Sequence, residues 1–256
     1  MESDFLIFAA VGFLAQLVDG ALGMAYGVVS STVLLSFGVP PAHASASVHA
    51  AELFTTAASG ASHAWHRNID TKLLVRLAPA GICGGVLGAF VLTSFDGDVV
   101  RPLVLVYLAI LGAYLIVRTF RPFPTNPVPG RMVLPLGAVG GFLDASGGGG
   151  WGPIVTSGLL GAGGQPRYVI GSVNAAEFLV TLAISVSFVV ALLTGHWEEA
   201  GTLTDHAAAV GGLIVGGVVA APLAGLAVKL IPTRPLTGIV GVLVLTLAAI
   251  QAIQLM

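Results

Sequence analysis

The sequence predicts an all-α integral membrane protein made of two inverted repeats, each a broken, re-entrant helical pair followed by three transmembrane helices. Three observations lead to this prediction. The composition is that of a bilayer protein, one glycine-rich stretch occurs twice, and matching loops of the two halves carry opposite charge bias. The alternative is eight full transmembrane helices in two parallel halves, which would place some basic loops outside the cell.

The composition excludes an ordinary soluble domain. Of 256 residues, 56% are hydrophobic and only 9% are charged, and the mean hydropathy is +0.97. Several apolar runs approach the roughly 20 helical residues that cross a hydrocarbon core of about 30 Å. The lipid bilayer is therefore one partner, and because the net charge is −2 without a basic patch, we expect no nucleic acid partner.

The duplication appears when the chain is shifted by 125 residues. Asp19–Glu52 then lies on Asp144–Glu177 without a gap, and 15 of the 44 pairs from residue 19 to residue 62 are identical. All the acidic residues in these stretches are among the matches. An internal repeat of this kind predicts two related structural units.

The first repeat is predicted over residues 1–120, and it opens with an apolar block at 5–37. Glu2 and Asp4 stand where a secretory signal would be positively charged, so we treat the block as part of the fold. Asp19 and nearby glycines interrupt it, which predicts two short helices meeting at a bend, each too short to span. Pro40 and Pro41 end the block.

The rest of the chain continues the plan. A long helix at 42–65 and spans at 73–94 and 101–120 complete the first repeat, with Pro102 in a first helical turn. Residues 121–130 contain four prolines and predict an extended cytoplasmic linker. The second repeat, 131–256, has a broken block at 132–162, a long helix at 167–193, an acidic turn with Glu198, Glu199 and Asp205, and spans at 207–228 and 235–254.

Loop charges predict that the halves are inverted. The turn after the first long helix holds Arg67, Lys72 and Arg76, whereas its counterpart at 195–206 holds no Lys or Arg. The other matched loops lean the same way, and basic loops stay in the cytoplasm. Inverted halves need an odd number of crossings each, so each broken block should enter and leave on one side.

The breaks predict an anion site. Backbone amides freed inside a bilayer must be satisfied, and transporters with inverted repeats bind substrates where broken helices meet. The N-terminal ends of the second short helices, near 23–28 and 148–153, suit anions. The predicted substrate-binding residues are Gly23, Tyr26, Gly27, Ser31, His49, Gly148, Gly149, Gly150, Trp151, Thr156 and Asn174. Two alternatives stay open: the glycines serve close helix packing, or the hydroxyls bond back to their own helices.

Four acidic residues occupy equivalent positions in the two repeats. Glu52 and Glu177 lie deep in the long helices, where a carboxylate is costly, and we predict gating or proton-linked roles for them. A structural hydrogen bond is the alternative. Asp19 and Asp144 are predicted to cap the second short helices rather than to bind a ligand.

We expect no metal and no cofactor. His43, His49, His63 and His66 lie on or beside one helix, but the second half has no matching cluster, so solvated histidine better explains the outer two. GGGGWG lacks the preceding strand of a dinucleotide fingerprint. We find no nucleophile with a base, which argues against an intramembrane enzyme. A homodimer is one assembly that the sequence leaves open.

These features resemble the sulfite exporter TauE/SafE family of bacterial membrane transporters. The resemblance rests on the broken first block, the GGGGWGP core at 147–153, Pro166 and the Asn174–Glu177 step, and it extends over nearly the whole chain. It implies secondary export of sulfite, organosulfonates or related anions across the plasma (inner) membrane. Met24–Tyr26 is less glycine-rich than its counterpart, so the two breaks need not contribute equally. A passive anion channel is the alternative function.

Overall fold

The computed structural model describes residues 2–121, 128–197, 207–230 and 233–255, and in these ranges the chain is all-helical without strands. The all-α prediction is therefore confirmed. The helices are α1 (Glu2–Leu22), α2 (Tyr26–Ser36), α3 (Pro41–Trp65), α4 (Thr71–Thr93), α5 (Gly97–Thr119), α6 (Gly130–Gly147), α7 (Ser157–Gly161), α8 (Pro166–Leu193), α9 (Ala207–Leu230) and α10 (Thr233–Gln254). A π-helical turn, Gly152–Thr156, runs directly into α7.

The first broken block is asymmetric. The helix α1 is longer than the predicted short piece, since its 21 residues extend ~31 Å at 1.5 Å per residue. Its apolar part, Phe5–Gly20, is shorter than the three candidate spans. The helix α1 continues past Asp19 to Leu22. The Asp19 carboxylate accepts hydrogen bonds from amides beyond the break. By contrast, α2 has 11 residues and is a half-helix.

Equivalent glycines turn the backbone in both repeats. Gly23 and Gly148, at the breaks, have left-handed φ values of 65° and 70°. Gly38 and Gly163, just beyond the half-helices, have φ values of 85° and 104°. Glycine adopts this conformation without the steric cost of a Cβ, so the sequence matches coincide with the bends.

The helix α5 begins earlier than predicted. The expected start was residue 101, where Pro102 suited a first turn, but the helix starts at Gly97. The carboxylate of Asp96 accepts a hydrogen bond from the Asp98 N–H at 2.8 Å and so caps the helix six residues before Pro102, which therefore lies inside the helix rather than in its first turn.

The directions of equivalent helices support inversion. His43 of α3 packs edge-on against Trp197, just beyond the end of α8, whereas Ser59 of α3 donates a hydrogen bond to Asn174 near the start of α8. These two helices therefore run antiparallel. In the same way, Gly112 lies against Gly241, and α5 and α10 run antiparallel. Two parallel halves would place equivalent helices parallel, so this packing favours the inverted arrangement.

Each broken block returns to the end of the bundle at which it begins. Phe8 in α1 contacts Phe37 just after α2, with ring centroids 5.2 Å apart. In the second half, Gly164, which follows α7, lies against Val128, which precedes α6. These contacts favour the predicted re-entrant pair over a full crossing by each block.

Basic side chains gather at one end of the bundle. Arg167 donates hydrogen bonds to Asn68 and to the His66 carbonyl, and Arg76 lies beside Gly130. This is the cytoplasmic end by the positive-inside rule. At the opposite end, the Ser94 hydroxyl and the His196 ring lie 2.9 Å apart. Most of the predicted linker (122–127) and the acidic turn (198–206) lie outside the described residues.

The helices present apolar side chains outward, as a membrane protein requires. Within the described residues, three helices are long and apolar enough to cross a bilayer: Thr71–Thr93, Gly97–Thr119 and Pro166–Leu193. On Gly97–Thr119, Leu103 and Ile110 lie on the same face two turns apart, and they are 67% and 65% exposed. Such an outward apolar face is stable against lipid and not against water.

Inversion predicts the accessibility of two equivalent loops. In a Cys83→Ala background, we expect His66→Cys, after α3, to react with a membrane-impermeant thiol reagent only from the cytoplasmic side. Thr194→Cys, after α8, should react only from outside. Both positions are exposed. Labelling of both cysteines from the same side would contradict the inverted arrangement.

Candidate functional site

The two breaks cross each other at the centre of the bundle. A Cβ built on Gly149 would overlap the backbone of Gly27 and Val28. On the other side of the crossing, a Cβ built on Gly152 would overlap the backbone of Met24. The pairs Gly27–Gly149 and Gly152–Met24 are each other's counterparts under the 125-residue shift, so the contacts are reciprocal.

Further contacts repeat this reciprocity. The Thr156 hydroxyl donates a hydrogen bond of 2.7 Å to the Gly23 carbonyl. Its counterpart Ser31 lies against Gly148, the counterpart of Gly23. The structure therefore brings together most predicted substrate-binding residues, drawn from both halves, around one crossing. This juxtaposition supports the predicted duplication.

The aspartates reach the starts of the half-helices. Asp19 Oδ1 accepts hydrogen bonds from the Ala25 and Tyr26 amides at 2.8 and 3.4 Å. Asp144 Oδ1 accepts from the Gly150 and Trp151 amides at 2.8 and 3.0 Å. These are the contacts that a capping role requires.

This capping changes the predicted anion site. The amides of Tyr26, Gly150 and Trp151 were expected to face the substrate, but in this conformation they donate to carboxylates. A carboxylate near a helix N-terminus also offsets its positive end. The sequence predicted the capping aspartates, but it also assigned the amides that they occupy to the substrate.

The hydroxyls largely bond within the fold. Ser31 and Thr32 both donate to the Val28 carbonyl, at 3.3 and 2.5 Å. Ser157 lies 3.4 Å from the Met24 sulfur. The alternative of back-bonding therefore describes Ser31 and Thr32 in this conformation, whereas the Ser30 hydroxyl is buried without a hydrogen-bond partner.

The two aromatic residues anchor the half-helices to the surrounding bundle. Tyr26 donates from its hydroxyl to the Leu213 carbonyl of α9 at 2.9 Å. Trp151 donates from its indole N–H to the Val173 carbonyl of α8 at 3.2 Å and packs against Gly81. Both polar ends point away from the crossing, so the aromatic rings form its walls.

His49 and Asn174, equivalent in sequence, make different contacts. The His49 ring lies between Ser45 of its own helix and Asp144 of the other half, 3.3 Å from the latter. Asn174 instead accepts from Ser59 and donates to the Ile170 carbonyl. The site is therefore symmetric in backbone and asymmetric in chemistry.

The centre is acidic. Glu52 and Glu177 are buried, and one oxygen of each lacks a hydrogen-bond partner. Asp144 lies within electrostatic range of Asp19, Glu52 and Glu177. The described lysines and arginines lie within two turns of a helix end. An anion at the crossing would therefore meet several carboxyl groups and one imidazole.

Three contacting residues were missed at the sequence level. Tyr107 of α5 donates to the Gly149 carbonyl at 3.1 Å, Ser45 donates to the Ala145 carbonyl at 2.6 Å, and Ser59 supports Asn174. A polar tyrosine inside an apolar span was a signal for the first. The two serines gave none, because their partners come from the other repeat.

The histidines separate in the structure. His49 is at the centre, and a ligand atom of His49, of Glu52 and of Asp144 lie within 4.8 Å of one another. His43 packs on Trp197 instead, His63 contacts Asn68, and His66 is exposed. The prediction of no metal was argued from the four histidines as a group. In the structure, the residues that come together are instead His49, Glu52 and Asp144.

A cavity of about 630 Å³ opens at the basic end. Its lining includes Lys72 and Arg76 of α4, Gly130 at the start of α6, and Gln165 and Tyr168 around the start of α8. Three helix N-termini thus converge beside two cationic side chains, and the carboxylate of Asp70, which also lines the cavity, caps the N-terminus of α4. With two cations against one carboxylate, the lining favours anions.

Comparison with known proteins found one family model and one relative that match most of this chain. The family model described as "Sulfite exporter TauE/SafE" matches residues 8–251. The chain is 42% identical over 226 residues to the probable membrane transporter protein YtnM of Bacillus subtilis (strain 168), an alignment that covers 86% of this chain and 73% of that protein. No solved structure gives a significant match.

Proposed function

The chain belongs to the sulfite exporter TauE/SafE family of multi-pass membrane transporters, and we propose that it exports sulfite and organosulfonates across the bacterial plasma membrane. The observation that carries the proposal is the crossing of two half-helices, one from each half, at the centre of the bundle. Sites of this geometry bind substrates in transporters with inverted repeats.

The crossing is closed in this conformation. His49, Thr156 and Asn174 are fully buried, and the glycine contacts leave no room for a sulfonate between the half-helices. Transport therefore requires the two broken segments to separate. We propose that separation exposes Gly23, Gly27 and Ser31 on one wall and their counterparts in the 148–156 segment on the other.

Closure also favours a carrier over a channel. A passive channel needs a continuous path, whereas backbone from the two halves blocks this one between Gly27 and Gly149. The family and the relative point in the same direction, since both are described as transporters. The site lends no support to an enzyme, because the Ser45 hydroxyl, 3.3 Å from His49 Nδ1, donates its hydrogen to the Ala145 carbonyl instead of to the imidazole.

Export of an anion needs no added fuel. An inside-negative potential of 100 mV contributes about 2.3 kcal/mol for each negative charge that leaves the cell. The basic cavity beside Lys72 and Arg76 would raise the local anion concentration at the cytoplasmic entrance. A uniporter with this polarity suffices for the proposed function.

The substrate class is tested by flux in liposomes that contain the purified protein. With an imposed potential, we expect sulfite and small organosulfonates to move faster than sulfate, thiosulfate or carboxylates of similar size. Empty liposomes give the background leak. Equal rates for sulfonates and carboxylates would contradict a sulfur-anion exporter, although not a transporter of anions in general.

We further propose that the buried Glu52 and Glu177 control access to the site, and that the role of Glu177 is linked to its protonation. Glu177 lies on α8 behind the second half-helix, and one of its oxygens has no hydrogen-bond partner. Glu177→Gln, which keeps the shape but cannot ionise, should flatten the pH dependence of flux. A variant with wild-type rate and wild-type pH profile would exclude this role.

A further inference from the structure

Three buried side chains with metal-binding chemistry meet beside the crossing. His49 and Glu52 lie one turn apart on α3, and Asp144 comes from α6 of the other half. One ligand atom of each lies within 4.8 Å of the other two. The side chains are 0%, 2% and 2% exposed, so water does not reach them from outside.

The hydrogen bonds of His49 define its tautomer. Nδ1 lies 2.7 Å from the Ser45 carbonyl and 3.3 Å from the Ser45 hydroxyl, which gives its own hydrogen to the Ala145 carbonyl. Both neighbours of Nδ1 are therefore acceptors, and Nδ1 carries a hydrogen. In neutral imidazole, Nε2 then holds a bare lone pair.

That lone pair faces another acceptor. His49 Nε2 lies 3.3 Å from Asp144 Oδ2, while Asp144 Oδ1 is occupied by two amides. A proton on either group or a cation bound between them would satisfy both acceptors. Donation of Nδ1–H to a backbone carbonyl is also the arrangement that orients most metal-binding histidines.

Glu52 supplies an independent sign of a missing ligand. Its Oε2 is buried and has no hydrogen-bond partner in the described structure, yet a ligand oxygen of the same carboxylate lies in the cluster with His49 and Asp144. A buried carboxylate oxygen without a partner is costly. A cation coordinated by all three residues would offset the cost of burying this carboxylate.

We propose that His49, Glu52 and Asp144 bind a divalent transition-metal cation, with Zn²⁺ and Mn²⁺ as the best-matched probes. One imidazole nitrogen and two carboxylate oxygens suit these ions. The 3.3 Å between Nε2 and Oδ2 is close to the separation of two ligands that each lie about 2.0–2.1 Å from one tetrahedral zinc. Two carboxylates and a neutral imidazole cancel a double positive charge, which a monovalent ion would not do.

The cation's role in transport rests on the proposed function, whereas its binding does not. The crossing holds four carboxyl groups in electrostatic range of one another. A bound dication would offset this charge and favour a sulfur anion beside it. The second half offers no equivalent site, because Asn174 takes the place of His49 and turns to Ser59 and Ile170.

The test measures metal binding without transport. Full-length protein is purified in detergent with a non-histidine tag, stripped with chelator, and titrated with Zn²⁺ by calorimetry and with Co²⁺ by visible absorption. We expect one metal per chain. His49→Gln and Glu52→Gln should each weaken binding by more than about tenfold, since losing even an outer-shell partner costs about 10–100-fold.

Glu177→Gln is the matched control, because it removes the equivalent carboxyl from the half that lacks the histidine. Because Glu177 lies in electrostatic range of the site but is not one of its ligands, this variant should lose less metal affinity than either site variant. The proposal is overturned if monodisperse wild-type protein binds neither ion, or if both site variants retain wild-type affinity. Should a site variant fail to fold, the wild-type titration still decides. Loss of sulfonate flux with intact metal binding would count against the proposed function and leave the site standing.

Discussion

Gly149→Ala is expected to abolish transport and to destabilise the protein more than any other single methyl addition at the crossing. The new Cβ would overlap Gly27 and the Val28 amide, which are backbone atoms and cannot rotate away. Overpacking costs about 1–3 kcal/mol where side chains can adjust, and here we expect the upper limit or more. Thermal unfolding in detergent and sulfonate flux in liposomes measure the two effects.

Gly60→Ala is the control for this variant. Gly60 lies inside α3, and an added Cβ would meet only the Ala175 Cα at 3.7 Å, an ordinary contact. Alanine in a helix interior is favoured over glycine by roughly 0.5–1 kcal/mol, so this variant should be at least as stable as the wild type. If Gly149→Ala behaves like Gly60→Ala, the half-helices do not cross as described.

Asp19→Ala is expected to have the second-largest effect. It leaves the Ala25 and Tyr26 amides without their acceptor in a buried position. Each unsatisfied donor costs about 1–3 kcal/mol, which suggests a loss of about 4 kcal/mol for the pair. Chemical or thermal unfolding in detergent would show the loss, and flux should fall with it because the start of α2 is no longer fixed.

Asp19→Asn separates the hydrogen bonds from the charge. The amide oxygen still accepts from both backbone N–H groups, so we expect roughly half of the destabilisation seen with alanine. Asparagine and aspartate are comparable helix caps. If Asp19→Asn proves as damaging as Asp19→Ala, the charge of Asp19 matters for more than capping.

Local sequence signals predicted the backbone of the site. Gly23 and Gly148 mark the bends because glycine alone adopts their left-handed conformation without cost, and Asp19 and Asp144 stand beside the half-helices whose amides they accept. The charge bias of the loops anticipated the antiparallel packing of α3 on α8. These features depend on residues close together in the chain or on its internal repeat.

Features that depend on packing between the halves were not predictable. The approach of His49 to Asp144 joins residues 95 positions apart, and the contact of Tyr107 with Gly149 joins a span to a break. Nothing in either local sequence specifies the partner. The capping aspartates were anticipated, but their consequence was not: they occupy amides that the sequence had assigned to the substrate.

Separation of the two half-helices should admit one anion at a time to a site that is closed in this conformation. The concentration dependence of organosulfonate flux through the wild-type protein in liposomes tests it most directly. We expect the rate to saturate with organosulfonate concentration and to fall when sulfite competes for the site. A rate that rises in proportion to concentration and is insensitive to sulfite would contradict it.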